Sequence, residues 1–114
     1  MSVHGATMDP GIEPSELARR LKDPADRVLV LDVREPFERR YASIKPSIHI
    51  PMAEIPGRLD EIPRDRDLVV YCHIGERSSL VVGYLRRLGF LSVANLNGGI
   101  DAWSAYVDPK VRRY

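Results

Sequence analysis

VVYCHIGERSSL, residues 69–80, carries the only cysteine of the chain, and the sequence changes character at that residue. Up to Cys72, DLVVYC (67–72) is rich in β-branched residues and apolar on consecutive positions. That is the pattern of a strand buried on both faces, as in a parallel sheet. Beyond it, SSLVVGYLRRLG (78–89) reads as a helix. Leu80, Val81, Tyr84, Leu85 and Leu88 would share one face, Ser78 or Ser79 suits the start, and Gly89 suits the position just past the end. His73 to Arg77 then form a tight strand-to-helix loop. Cys72 falls at the carboxyl end of a strand, where open α/β sheets bind their ligands.

The flanking sequence repeats the alternation. VLVLDV (28–33), SIHIP (47–51) and VANL (93–96) read as further strands, with a short one near Gly11 and Ile12. EPSELARRLKDP (13–24) reads as a helix opened by Pro14 or Ser15 and closed by Asp23-Pro24. EPFERRY (35–41) reads as a short helix with Pro36 in its first turn. AEIPGRLDEIP (53–63) holds a short helix interrupted near Pro56. Asn97, Gly98 and Gly99 turn the chain into a last helix, IDAWSAY (100–106), and DPKVRRY (108–114) reads as an extended tail. Strands alternating with helices at this spacing define an α/β domain with a central, mostly parallel sheet and helices on both faces.

Length and composition narrow the function. A chain of 114 residues is one compact domain, and 17 basic against 16 acidic residues give a net charge of only +1. That balance offers no electrostatic case for nucleic acid or membrane surfaces. No apolar stretch nears the roughly 18 residues needed to span a bilayer, and MSVHGATMDPG (1–11) lacks the features of a secretory signal, so a cytoplasmic location is expected. One cysteine cannot pair internally, which suits a reducing compartment. It also cannot build a multi-thiolate zinc site, and His4, His49 and His73 have no ligand spacing, so no metal is expected.

The loop itself carries chemistry. Gly75 can adopt backbone angles closed to other residues. A curled loop can turn several N–H groups inward as an anion-binding nest, and the following helix adds partial positive charge at its N-terminus. Arg77 adds a full charge nearby. Each effect favours thiolate over thiol, making Cys72 an activated nucleophile in an anion-binding cradle. The plain alternative is a buried core cysteine at a strand end. Cysteine-dependent phosphatases use Cys, five residues, then Arg; here four residues (His73, Ile74, Gly75, Glu76) separate Cys72 from Arg77. The smaller cradle suits a terminal sulfur on cysteine better than a tetrahedral phosphoryl group.

These fragments together resemble the rhodanese-like sulfurtransferases, in particular single-domain members with a six-residue loop. The resemblance rests on VLVLDVREPFE (28–38), SIHIP (47–51), VVYCHIGERS (69–78), LRRLGF (85–90) and NLNGGIDAW (95–103), in this order, and covers roughly residues 12–106. It implies a rhodanese-like three-layer domain over residues 11–106, between a flexible segment (1–10) and an extended tail (107–114). It implies that Cys72 takes a sulfane sulfur from thiosulfate or a persulfide donor, holds it as a persulfide stabilised by loop N–H groups, and passes it to a thiol, to cyanide or to a sulfur-carrier protein. No cofactor is required. The rival readings are a cysteine-dependent phosphatase or arsenate reductase, disfavoured by loop length and by the missing second thiol, and a non-catalytic persulfide-binding module.

His73, Ile74, Gly75, Glu76, Arg77 and Ser78 form the expected substrate-binding loop. Arg77 either binds an anionic donor or pairs with Glu76 or Glu38. His73 can orient a substrate, although loop histidines are more often simply solvated, and Glu76 reads as a rim charge. Asp32 and Arg34 match the family's Asp-Val-Arg segment and are expected to brace the site by hydrogen bonds and ion pairs. Trp103 is expected in the core behind the site. One segment departs from the family's Gly-His-Ile-Pro-Gly-Ala: Ala42 to Ser47 share only Ile44 with it, so this loop should close differently. WSAYVDPKVRRY (103–114) resembles the ends of rhodanese domains fused to adenylating enzymes that load sulfur carriers, which points to such a carrier as acceptor.

Overall fold

The computed structural model describes residues 8–114; most of the expected loose N-terminal segment lies outside the described residues. Five strands build one sheet: β1 (Gly11–Ile12), β2 (Leu29–Asp32), β3 (Ile48–His49), β4 (Leu68–Tyr71) and β5 (Val93–Leu96). Their order is β1-β5-β4-β2-β3, and every pairing is parallel. Three helices connect strands, α1 (Pro14–Leu21), α2 (Pro36–Tyr41) and α3 (Glu76–Arg87), and α4 (Gly99–Tyr106) follows β5. Between β3 and β4, Pro56 removes a backbone donor, and the chain forms two 3-10 turns, Met52–Gly57 and Leu59–Glu61, in place of an α-helix.

Alternation along β4 explains the layers. Leu68, Val70 and Cys72 point to one face, where Val81, Val82 and Leu85 of α3 cover them. Val69 and Tyr71 point to the other, against Leu17 of α1 and Ile100 and Trp103 of α4. Trp103 is thus in the core, as expected. The order also fixes the site. From β2 the chain moves outward to β3, and from β4 it moves the other way to β5. The carboxyl ends of β2 and β4 therefore flank the topological switch point. Arg34 follows one strand and Cys72 the other.

The register of α3 differs from expectation. The helix begins at Glu76, two residues before Ser78, because Gly75 at φ +113° turns the chain in a single residue. The loop is therefore His73 to Gly75, with Arg77 and Ser78 already in the first helical turn. The buried face is Ser78, Val81, Val82 and Leu85, while Leu80 is 64% exposed and Leu88 40%. At the other end Gly89 N–H donates to Arg86 O (3.0 Å) and Phe90 N–H to Leu85 O (3.0 Å), with Gly89 at φ +92°. This is a Schellman stop, with Phe90 buried beyond it.

The tail is not a loose extension. It turns at Val111 N–H···O Asp108 (3.1 Å), is tied by Ser104 Oγ to Val111 O (2.6 Å) and by Arg113 to Asp101 (2.9 Å), and returns Tyr114 to the sheet's carboxyl edge.

Candidate active site

Three donors converge on the Cys72 sulfur. Gly75 N–H lies 3.2 Å from Sγ, Ser78 N–H 3.3 Å and Ser78 Oγ 3.2 Å. The two amides come from the turn and from the first turn of α3, so the backbone forms the nest expected from the sequence. Cys72 is only 1% exposed, and its sulfur faces these donors and not bulk water. Ile74 and Glu76 point outward and are exposed, as a rim would be.

Asn95, on β5, is a supporting residue that sequence reasoning passed over as part of a strand. Its Oδ1 accepts from Ser78 Oγ, and its Nδ2 donates to Gly75 O at 3.3 Å. Ser78 has one hydroxyl proton and two acceptors in reach, Sγ and Asn95 Oδ1. A thiolate outcompetes a neutral amide oxygen for that proton. The hydroxyl can therefore rest on Asn95 and swing to sulfur when charge develops there. The available signal was a polar residue within an apolar strand beside the cysteine strand.

The loop's outer carbonyls are held from α4. Ile100 N–H donates to Cys72 O (3.0 Å) and Asp101 N–H to His73 O (3.0 Å). This requires Gly99: it sits at φ +63°, and a Cβ there would lie 2.4 Å from His73 O and 2.7 Å from Cys72 O. What reads as a turn glycine is a close-approach glycine that lets α4 grip the strand end.

A polar network crosses the switch point. Arg34, fully buried, forms a two-toothed pair with Asp32 (Nε–Oδ1 2.9 Å, Nη2–Oδ2 2.8 Å) and donates to Ala42 O (2.6 Å) and Tyr114 Oη (2.9 Å). Burial pulls the Asp32 carboxyl up, but hydrogen bonds from Arg34 and Tyr71 outweigh it and hold the group below the usual range. Tyr114 Oη donates in turn to Glu38 Oε2 (2.7 Å). Burial first, and the Glu38 charge with it, push the Tyr114 hydroxyl up to about 12. Glu38 closes the chain by accepting two hydrogen bonds from Arg77, at 2.7 and 2.9 Å. Of the alternatives open for Arg77, the structure shows pairing with Glu38. The bracing by Asp32 and Arg34 reaches the Cys72 loop through Tyr114, Glu38 and Arg77, and also through Tyr71, next to Cys72, whose hydroxyl donates to Asp32 Oδ2 (3.0 Å). His73 is not simply solvated: its ring stacks on Tyr114 at 4.0 Å and 10°.

The divergent loop at Ala42 to Ser47 closes through this network. Arg39 donates to Ser47 Oγ (2.7 Å) and Ser47 O (2.8 Å), and Ile44 N–H donates to Tyr71 Oη (3.1 Å). Ile44, the one residue shared with the family pattern, is fully buried.

A parallel five-stranded sheet with a cysteine cradled by backbone amides at its switch point defines a cysteine-loop α/β protein. Comparison narrows that class. Residues 13–106 match the family model described as a rhodanese-like domain, so the chain belongs to the rhodanese-like family. A "Sulfurtransferase" of Allochromatium vinosum is 43% identical over 100 residues, covering 88% of this chain and 92% of that protein. The crystal structure of a rhodanese-related protein from Thermoplasma volcanium superposes with a TM-score of 0.80 at 35% identity, covering 93% of this chain and all of the other. A "Probable adenylyltransferase/sulfurtransferase MoeZ" of Mycobacterium tuberculosis is 33% identical over 105 residues, 90% of this chain but 26% of that much longer protein. These relationships are those of a rhodanese-type sulfurtransferase. Among the described residues no helix is long and apolar enough to cross a membrane.

Proposed function

We propose that the protein moves a sulfane sulfur through a persulfide on Cys72. The observation that carries this is the convergence of Gly75 N–H, Ser78 N–H and Ser78 Oγ on one buried sulfur. The Cys72 thiolate attacks the outer sulfur of thiosulfate or of a persulfide. A new S–S bond forms, the donor's S–S bond breaks, and sulfite or a thiolate leaves with the electron pair. The donors that held the thiolate are then placed to hold the negative persulfide. An acceptor thiolate or cyanide attacks the outer sulfur, and the Cys72 thiolate leaves. The chain has no second cysteine, so the acceptor comes from outside.

His73, Ile74, Glu76 and Arg77 form the mouth that donor and acceptor meet. The tail and the likeness to an adenylyltransferase/sulfurtransferase support a sulfur-carrier protein as one acceptor class.

Intact mass spectrometry after brief exposure to thiosulfate tests the reading. Wild type should gain one sulfur atom, reversed by cyanide or dithiothreitol, and Cys72→Ser should gain none. No adduct from thiosulfate or from a small-molecule persulfide, with para-nitrophenyl phosphate hydrolysed instead, would replace it with a phosphatase.

A further inference from the structure

Beside the mouth lies a groove of about 660 Å³ between α2, the loop at Ala42 to Ser47 and the returning tail. Five cationic side chains line it (Arg39, Arg40, Lys45, Lys110 and Arg112), against one carboxylate, Asp108. Arg39 is committed to Asp32 and Ser47. Among the described residues, Arg40, Arg112, Lys45 and Lys110 take part in none of the ion pairs. The whole chain carries only +1, so the molecule outside this groove is net acidic. The groove thus carries a net excess of cations that the rest of the molecule does not.

The groove leads to the sulfur. Tyr41 forms a groove wall beneath Arg112 (5.3 Å to the ring centre) and meets Tyr114 edge-on at 5.7 Å, and Tyr114 stacks on His73, next to Cys72. Tyr41, Trp103 and Val111 add apolar surface among the cations.

We propose that this groove docks an acidic polypeptide segment of the partner protein that exchanges sulfur with Cys72. The proposal rests on the sulfur-transfer reading and names the partner's chemistry. Carboxylates laid along Arg40, Lys45, Lys110 and Arg112 would bring the adjoining reactive end of the segment past Tyr114 to the mouth. Complementary charge raises the encounter rate and fixes orientation. A nucleic acid is disfavoured, because an extended polyanion would run off this patch onto net acidic surface.

The test loads the persulfide and follows its discharge to a short polyglutamate peptide ending in cysteine, to its polyglutamine counterpart, and to dithiothreitol. At low salt the acidic peptide should discharge it about tenfold faster than the neutral one, and salt should erase the difference. Arg40→Glu/Lys110→Glu should lose the preference with the dithiothreitol rate unchanged. The milder Lys45→Gln/Arg112→Gln should weaken it. Equal peptide rates in wild type, or a preference that survives both variants, would overturn the proposal. Fluorescence anisotropy of the alkylated, labelled acidic peptide gives a reading independent of chemistry. Binding lost in the charge-reversed variant supports the groove even if no persulfide forms. Tighter binding of a single-stranded oligonucleotide of equal charge would overturn it in favour of nucleic acid.

Discussion

Glu38 and Arg77 face each other across the switch point in a two-toothed ion pair, 2.7 and 2.9 Å, that joins α2 to the first turn of α3. Arg77 first, with help from Tyr114 and the Glu35 amide, holds the Glu38 carboxyl at about 2, below its ordinary value of 4.5. A depressed carboxylate stabilises the fold above its unfolded pKa, and that contribution fades as pH falls through the folded one. Glu38→Gln should therefore lower stability by about 2 kcal/mol near neutral pH, a modest figure because Arg77 is one-third exposed. The gap to wild type should close between pH 4.5 and 2. Urea denaturation of both proteins across that range measures it; a gap that widens toward acid would contradict the assignment.

The same pair bears on donor choice. Arg77 sits in the first turn of α3, directly after the loop, yet its charge is spent on Glu38. An anionic donor such as thiosulfate would meet a neutralised mouth, with Glu76 adding repulsion at the rim. Releasing the guanidinium by Glu38→Gln should lower the KM for thiosulfate about threefold, the scale of one part-exposed charge. Arg77→Gln in the wild-type background should raise that KM by a comparable factor, because it leaves the Glu38 carboxylate unpaired at the mouth. Steady-state kinetics with cyanide as acceptor reads both.

Much of this arrangement was legible in the sequence. Consecutive apolar residues in β2 and β4 announced a two-faced parallel sheet, and a glycine three residues after a strand-end cysteine announced the nest. The stripe expected on α3 holds at Val81, Tyr84 and Leu85, which pack on the core, and fails at Leu80 and Leu88, because the packed face is completed by the polar Ser78 and by Val82. The helix start was misplaced because Gly75, and not a serine, makes the turn. Tyr114 was beyond reach for a different reason. Its contacts to Arg34, Glu38 and His73 are all long-range in sequence. No local pattern encodes where a polar tail lands.

Gly99 illustrates a residue whose role needs coordinates. Its φ of +63° penalises any side chain, and a Cβ would collide with the carbonyls of Cys72 and His73. Gly99→Ala should cost at least about 2 kcal/mol, through backbone strain and the lost grip of α4. It should also slow persulfide formation, because the loop's outer carbonyls lose Ile100 and Asp101. Thermal denaturation and the rate of adduct formation should move together; unchanged stability would show that the loop does not need this close approach.

Ser78 and Asn95 should act as one unit. Removing the hydroxyl with Ser78→Ala takes one of three donors from the sulfur, and persulfide formation should slow about tenfold, the low end for losing one hydrogen bond to a charged group. Asn95→Asp should slow it comparably, since a carboxylate would hold the Ser78 proton more firmly and face the anionic sulfur. If that proton is shared, the double variant should be slower than either single variant but by less than the product of their effects. Single-turnover rates of sulfur uptake, followed by mass, give the three comparisons. Multiplicative effects would mean that Asn95 acts only by bracing the Gly75 carbonyl, and that the hydroxyl stays on sulfur throughout.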